Sequence, residues 1–219
     1  MNLSLQYLIR EPKIKADKNP LILLLHGYGS NEQDLLSFAS ELPEDYYVIS
    51  ARAPYDLQYG SYAWYAINFD ADENKFSDHN QAVKSRDLIA EFIDELIKKY
   101  PIDSEQVTLL GFSQGTILSY AVALSYPEKV QRVVALSGYL NEAIIKANYK
   151  SNDFSKLKMF VSHGSSDQVV PLHWANKAPG ILDSLNIPNV YHEYPVGHGV
   201  APQNFTDLKS WLQNTKSSI

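Results

Sequence analysis

The chain has 219 residues, 45% hydrophobic and 20% charged, enough to bury the core of one globular domain over residues 1–219. A net charge of −6 without a basic cluster argues against nucleic acid or an anionic membrane as the main partner. The absence of cysteine excludes disulfides, thiolate metal sites and a cysteine nucleophile together.

The N-terminus, Met1-Asn2-Leu3-Ser4-Leu5-Gln6-Tyr7, lacks the basic and apolar regions of a signal peptide, so a cytoplasmic location is expected. Leu3 to Ile9 alternates and predicts an edge strand. Leu21 to Leu25 is a continuous aliphatic run, too short to span a bilayer, and reads as a strand buried on both faces. It ends in His26-Gly27-Tyr28-Gly29. Ser30 and Gln33 have capping-box spacing, which predicts a helix from there through Phe38. Tyr46 to Ser50 is a further strand. A long aromatic loop follows, Tyr55 to Phe76, and loops of this length in compact domains are functional or mobile as a rule.

From Ser77 to Tyr100 the apolar residues Val83, Leu88, Ile89, Phe92, Ile93, Leu96 and Ile97 form one helical stripe, stopped by Pro101. Val107 to Gly111 is strand-like, and Gln114 opens an apolar helix to about Ser125. Val133 to Gly138 is another strand, and Tyr139 to Ser155 an excursion over the sheet. Met159 to Ser162 is a strand ending in His163-Gly164-Ser165-Ser166-Asp167. Leu172 to Leu185 predicts a helix with a break at Pro179-Gly180. Val190 to Tyr194 is the last strand, and Phe205 to Trp211 begins a closing helix. Strands alternating with helices predict an α/β fold, a mainly parallel sheet of about seven strands covered on both faces.

The chemistry centres on Gly111-Phe112-Ser113-Gln114-Gly115, a Gly-x-Ser-x-Gly elbow between strand and helix. A serine on so sharp a turn is held in a strained conformation, and side chains at either glycine would collide with backbone. The hydroxyl is a weak nucleophile that needs a base and a group to orient it. Loops at the carboxyl ends of later strands supply Asp167 as the acid and His198 as the base, in the chain order Ser, Asp, His.

The competing residues fit less well. His26 precedes the serine and suits the shaping of its own turn, while His163 suits a packed, hydrogen-bonded role. His192 lies inside a strand, and His173 is too near Asp167 in sequence to reach Ser113 easily. Asp153 sits in an unpatterned segment and Glu193 within a strand. The Gln114 backbone N–H is one donor for a developing oxyanion. The second belongs to the Gly27–Gly29 loop, with Tyr28 nominated. Trp64 and Tyr65 are candidates for an apolar wall around the substrate, the alternative being that they pack the aromatic loop onto the domain. The six histidines show no paired helical spacing and the carboxylates no calcium-loop pattern. No nucleotide phosphate loop is present either, so neither a metal nor a cofactor is expected.

Leu25 to Gly29, Ala53-Pro54, Trp64-Tyr65 with Phe69-Asp70, Gly111 to Gly115, His163-Gly164 through Asp167 to Pro171, and Gly197-His198 occur here in one order. In these stretches the chain resembles the phospholipase/carboxylesterase family of α/β hydrolases, which includes acyl-protein thioesterases and small bacterial carboxylesterases. The resemblance implies a serine hydrolase with an open cleft and little or no lid domain. It also implies a Ser113–Asp167–His198 triad, with Tyr28 and Gln114 as oxyanion donors. Thr116 departs from the family's usual glycine or alanine. Gly199-Val200-Ala201-Pro202 departs from the thioesterase branch, and Ala63 to Ile67 is nearer the bacterial carboxylesterases. The expected partner is a small-molecule ester or thioester, and a homodimer is left open beside a monomer. Acyl-protein thioesterase or lysophospholipase activity is the nearest rival, and a hydrolase-fold binding protein without catalysis the rival from another class.

Overall fold

The computed structural model describes residues 3–69 and 75–216. Asp70, part of the expected Phe69-Asp70 motif, lies outside the described residues. The central sheet has seven strands: β1 (Tyr7–Arg10), β2 (Asn19–Leu25), β3 (Tyr47–Ala51), β4 (Ile102–Phe112), β5 (Arg132–Leu136), β6 (Lys158–Gly164) and β7 (Asn189–Tyr194). Their order across the sheet is β1-β3-β2-β4-β5-β6-β7. Only β1 runs antiparallel; every other pairing is parallel. The carboxyl ends of β2, β4, β5, β6 and β7 therefore share one edge, where ligand sites of open α/β sheets form.

Helices α1 (His79–Lys99), α2 (Gln114–Ser125), α3 (Leu172–Ala175), α4 (Lys177–Ser184) and α5 (Pro202–Asn214) complete the layers. The aliphatic run in β2 explains the arrangement. Leu21, Leu23 and Leu25 face a core shared with α1, α2 and α4, while Ile22 and Leu24 face a second core built with α5. Alternate residues point to opposite faces of a strand, so a strand covered on both sides has no polar position to offer. Each buried leucine or isoleucine contributes about 1.5–3 kcal/mol.

Three elements differ from the sequence-based expectation. The helix expected from Ser30 is a 3-10 helix over Leu35–Ser40. The Ser30 hydroxyl donates to Asp34 instead of capping, and Asn31 takes the Gln33 N–H, so local side-chain bonds hold that segment in turns. The break in the helix after Leu172 falls at Asn176, ahead of Pro179. Pro179 sits in the first turn of α4, where a missing N–H leaves no helical bond unmade. The aromatic loop contains two short antiparallel ladders, Tyr55–Asp56 with Tyr62–Ala63 and Ile67–Phe69 with Lys75–Ser77.

Candidate active site

β4 enters α2 through Ser113, whose backbone is left-handed with φ 53° and ψ −113°. Such a conformation is costly for a residue with a side chain and survives only where its surroundings fix it. They do so here by contact. A Cβ on Gly115 would lie 1.9 Å from the Leu25 carbonyl oxygen, and one on Gly111 would lie 2.5 Å from the Gly115 backbone. The Ser113 N–H donates to the Leu136 carbonyl at 2.9 Å, which ties the turn to β5.

Asp167 and His198 stand on the loops after β6 and β7. His198 Nδ1 lies 2.7 Å from Asp167 Oδ2. The other carboxylate oxygen accepts the Val169 and Val170 N–H groups at 2.8 and 2.9 Å. Burial pushes the Asp167 carboxyl up, but the bonds from His198, Val170 and Val169 outweigh it and hold it below the usual carboxylate range. A fixed anion on Nδ1 puts the ring hydrogen there and leaves Nε2 as the basic nitrogen. The two loops are also joined through their backbones, with Ser166 N–H donating to the Val196 carbonyl.

Ser113, His198, Gln114 and Tyr28 all line one cavity of about 230 Å³. Its walls are completed by Tyr65, Ile67, Ser77, Ile117, Tyr139, Val169, Val170 and Trp174. The structure thus brings together five of the expected residues outside Trp64: the nucleophile candidate, the base candidate, both oxyanion candidates and Tyr65. Asp167 sits behind His198, its side chain fully buried.

Trp64 corrects an expectation. It is 0% exposed and does not line the cavity. Its indole N–H donates to the His26 carbonyl at 2.9 Å, and its ring lies 5.6 Å from the imidazole of His26. Its backbone carbonyl takes the Ser85 hydroxyl from α1, and its N–H donates to the Gln114 side chain at 2.8 Å. Trp64 is a brace beneath the site, because every polar group it carries finds a partner in the core. Tyr65 does reach the cavity, and the depth at which it lies raises its phenol pKa.

His26 shapes the loop after β2, as its place before Gly27 suggests. Its Nε2 accepts the Ala53 N–H at 3.1 Å, so the hydrogen is on Nδ1 and is donated to the Gly27 carbonyl at 2.8 Å. Burial lowers the pKa of this ring. In a trans peptide the N–H points opposite the carbonyl. Holding the Gly27 oxygen therefore turns the Tyr28 N–H away from the buried ring.

Several wall residues went unmarked in the sequence. Ile117 lies one helical turn beyond Ser113, so helical spacing on α2 was a usable signal for it. Tyr139 follows the carboxyl end of β5, the edge where sites form. Nothing local marks Trp174, which enters from a four-residue helix. Among the described residues, no three histidine or acidic side chains are grouped to hold a metal ion. No described helix is long and apolar enough to cross a membrane.

Residues 8–216 match the family model described as Phospholipase/Carboxylesterase. Acyl-protein thioesterase 1 of Saccharomyces cerevisiae is 32% identical over 162 residues, 71% of this chain and 70% of that protein. Acyl-protein thioesterase 1 of Mycosarcoma maydis is 28% identical over 95% of this chain and 96% of its own length. Among solved structures, the Bacillus cereus carboxylesterase superposes with a TM-score of 0.83 at 20% identity, covering 97% of this chain and 95% of that one. Esterase PE8 gives the same TM-score at 24% identity, covering 97% and 99%. With a sheet of this topology and a family match across nearly its whole length, the chain belongs to the phospholipase/carboxylesterase family of α/β hydrolases.

Proposed function

We propose that this enzyme hydrolyses carboxylic esters of short-to-medium acyl chains through an acyl-enzyme intermediate. The observation that carries the reading is the hydrogen-bonded Asp167–His198 pair opening onto the same cavity as Ser113 on its left-handed turn. Ser113 Oγ attacks the ester carbonyl carbon while His198 Nε2 takes the hydroxyl proton. The new C–O bond forms as the carbonyl electrons move to oxygen, and the Tyr28 and Gln114 N–H groups receive that charge. Asp167 stays anionic and stabilises the imidazolium. Collapse of the intermediate breaks the bond to the alcohol, which leaves with the proton from His198. Water repeats the sequence on the acyl-enzyme and releases the acid.

A second reading, thioester hydrolysis, is favoured by the acyl-protein thioesterase relatives, one of which matches 95% of this chain. The chemistry is the same with a thiolate-type leaving group, so turnover of matched esters and thioesters of one acyl group separates the two. The reading as a whole is tested with a fluorophosphonate probe. One covalent adduct is expected, located on Ser113 by peptide mass, and Ser113→Ala should neither label nor turn over substrate. Stoichiometric labelling of that variant would reject Ser113 as the nucleophile.

A further inference from the structure

His163 is the last histidine before Asp167, four residues earlier at the end of β6, and its side chain is completely buried. Its Nε2 lies 2.9 Å from the Val170 carbonyl, an acceptor only, so the ring hydrogen is on Nε2. The same nitrogen is 3.4 Å from Asp167 Oδ2, the oxygen that faces His198. Nδ1 is buried with no hydrogen-bond partner. A buried polar ring is retained at a cost when half of its bonding capacity is unused. Packing alone would be served as well by an apolar side chain.

The bonds of the neighbouring turn account for that one donor. Val170 N–H donates to Asp167 Oδ1, and Val170 C=O accepts from His163. The residue that clamps the carboxylate is thus itself clamped from its other side. Without the imidazole, the Val170 carbonyl would lose its buried partner, and Val170, whose N–H and C=O lie in the two peptides that meet at its Cα, would be held from one side only. The Val170 N–H, one of the two backbone donors to Asp167, would then be less firmly placed against the carboxylate.

We propose that His163 is a positioning residue for the reaction: its Nε2–H locks the 167–170 turn and so fixes Asp167 Oδ2 against His198. The inference rests on the reading of Asp167 and His198 as partners of Ser113. Misplacing a catalytic group by about 1 Å can cost on the order of 10²-fold in rate. His163→Phe, which keeps ring volume and removes the donor, should therefore lower kcat by roughly 10- to 100-fold with KM little changed. His163→Gln, which places an N–H near the same point, should recover most of that loss.

The test combines kinetics of these variants with proton and nitrogen NMR of the imidazoles. The wild type should show His163 as the Nε2–H tautomer and a low-field Nδ1–H proton for His198. The Phe variant should lose that low-field signal, and the Gln variant should keep it. A folded Phe variant with wild-type kcat and an intact signal overturns the proposal. So does a wild-type His163 carrying its hydrogen on Nδ1, a result that needs no variant to fold. Wild-type protein inert toward all esters and thioesters would instead overturn the serine-hydrolase reading, leaving the tautomer measurement to judge His163 separately.

Discussion

At the scale of single residues, Gln114 does two unrelated jobs with two different parts. Its backbone N–H begins α2 beside Ser113, while its side chain accepts from Trp64 N–H and donates to Tyr65 C=O, both at 2.8 Å. The second job binds the aromatic loop to the elbow and leaves no room for a shorter or apolar side chain. Gln114→Leu keeps the first job and removes the second. It strands two buried backbone groups, each at a cost of about 1–3 kcal/mol, so a loss of about 2–6 kcal/mol is expected. Urea denaturation checks this, and an unchanged midpoint would show that the loop is held by other contacts. Serine at 113 and glycine at 111 were legible in the sequence because their constraints are steric and local. The role of the Gln114 side chain was not, because its partners lie 49 and 50 positions away.

Among the elements, the loops after β6 and β7 act as one unit, since Ser165 and Ser166 N–H groups donate to Tyr194 and Val196 carbonyls. Asp167 is the charged residue of that unit, and its folded pKa is depressed. A depressed carboxylate contributes stability that is present above its unfolded value, about 3.9, and is lost as pH falls through the lower folded value. Asp167→Asn should therefore unfold at a lower urea concentration than wild type at neutral pH. The two midpoints should converge below about pH 3.9. A constant gap across that range would assign the difference to packing. The strands of the sheet and the three loops bearing Ser113, Asp167 and His198 were readable, since apolar runs ending in glycine and polar residues mark strand ends. The 3-10 helix at Leu35–Ser40 and the break at Asn176 were not. Both are decided by local side-chain bonds and tertiary fit that hydrophobic spacing does not encode.

For the molecule as a whole, the burial of Trp64 leaves the cavity wall to other residues. The aromatic loop contributes Tyr65 and Ile67 to the cavity, while Ile117, Tyr139, Val169, Val170 and Trp174 come from the elbow helix and the carboxyl edge of the sheet. The cavity, of about 230 Å³, is small and its lining is largely aromatic and aliphatic. Each methylene placed against its apolar walls is worth about 0.8 kcal/mol, or roughly fourfold in kcat/KM. The ratio should climb over the short p-nitrophenyl esters from acetate upward and then level off at short to medium chain length. A climb that continues to palmitate would favour long-chain thioesterase or lysophospholipase activity. Trp64→Ala separates the brace from the wall. It should cost about 3–5 kcal/mol of stability as a core truncation. In the fraction that remains folded, the shape of the chain-length profile should be preserved, because no cavity wall is removed. A profile that extends to longer chains in that variant would return Trp64 to the substrate.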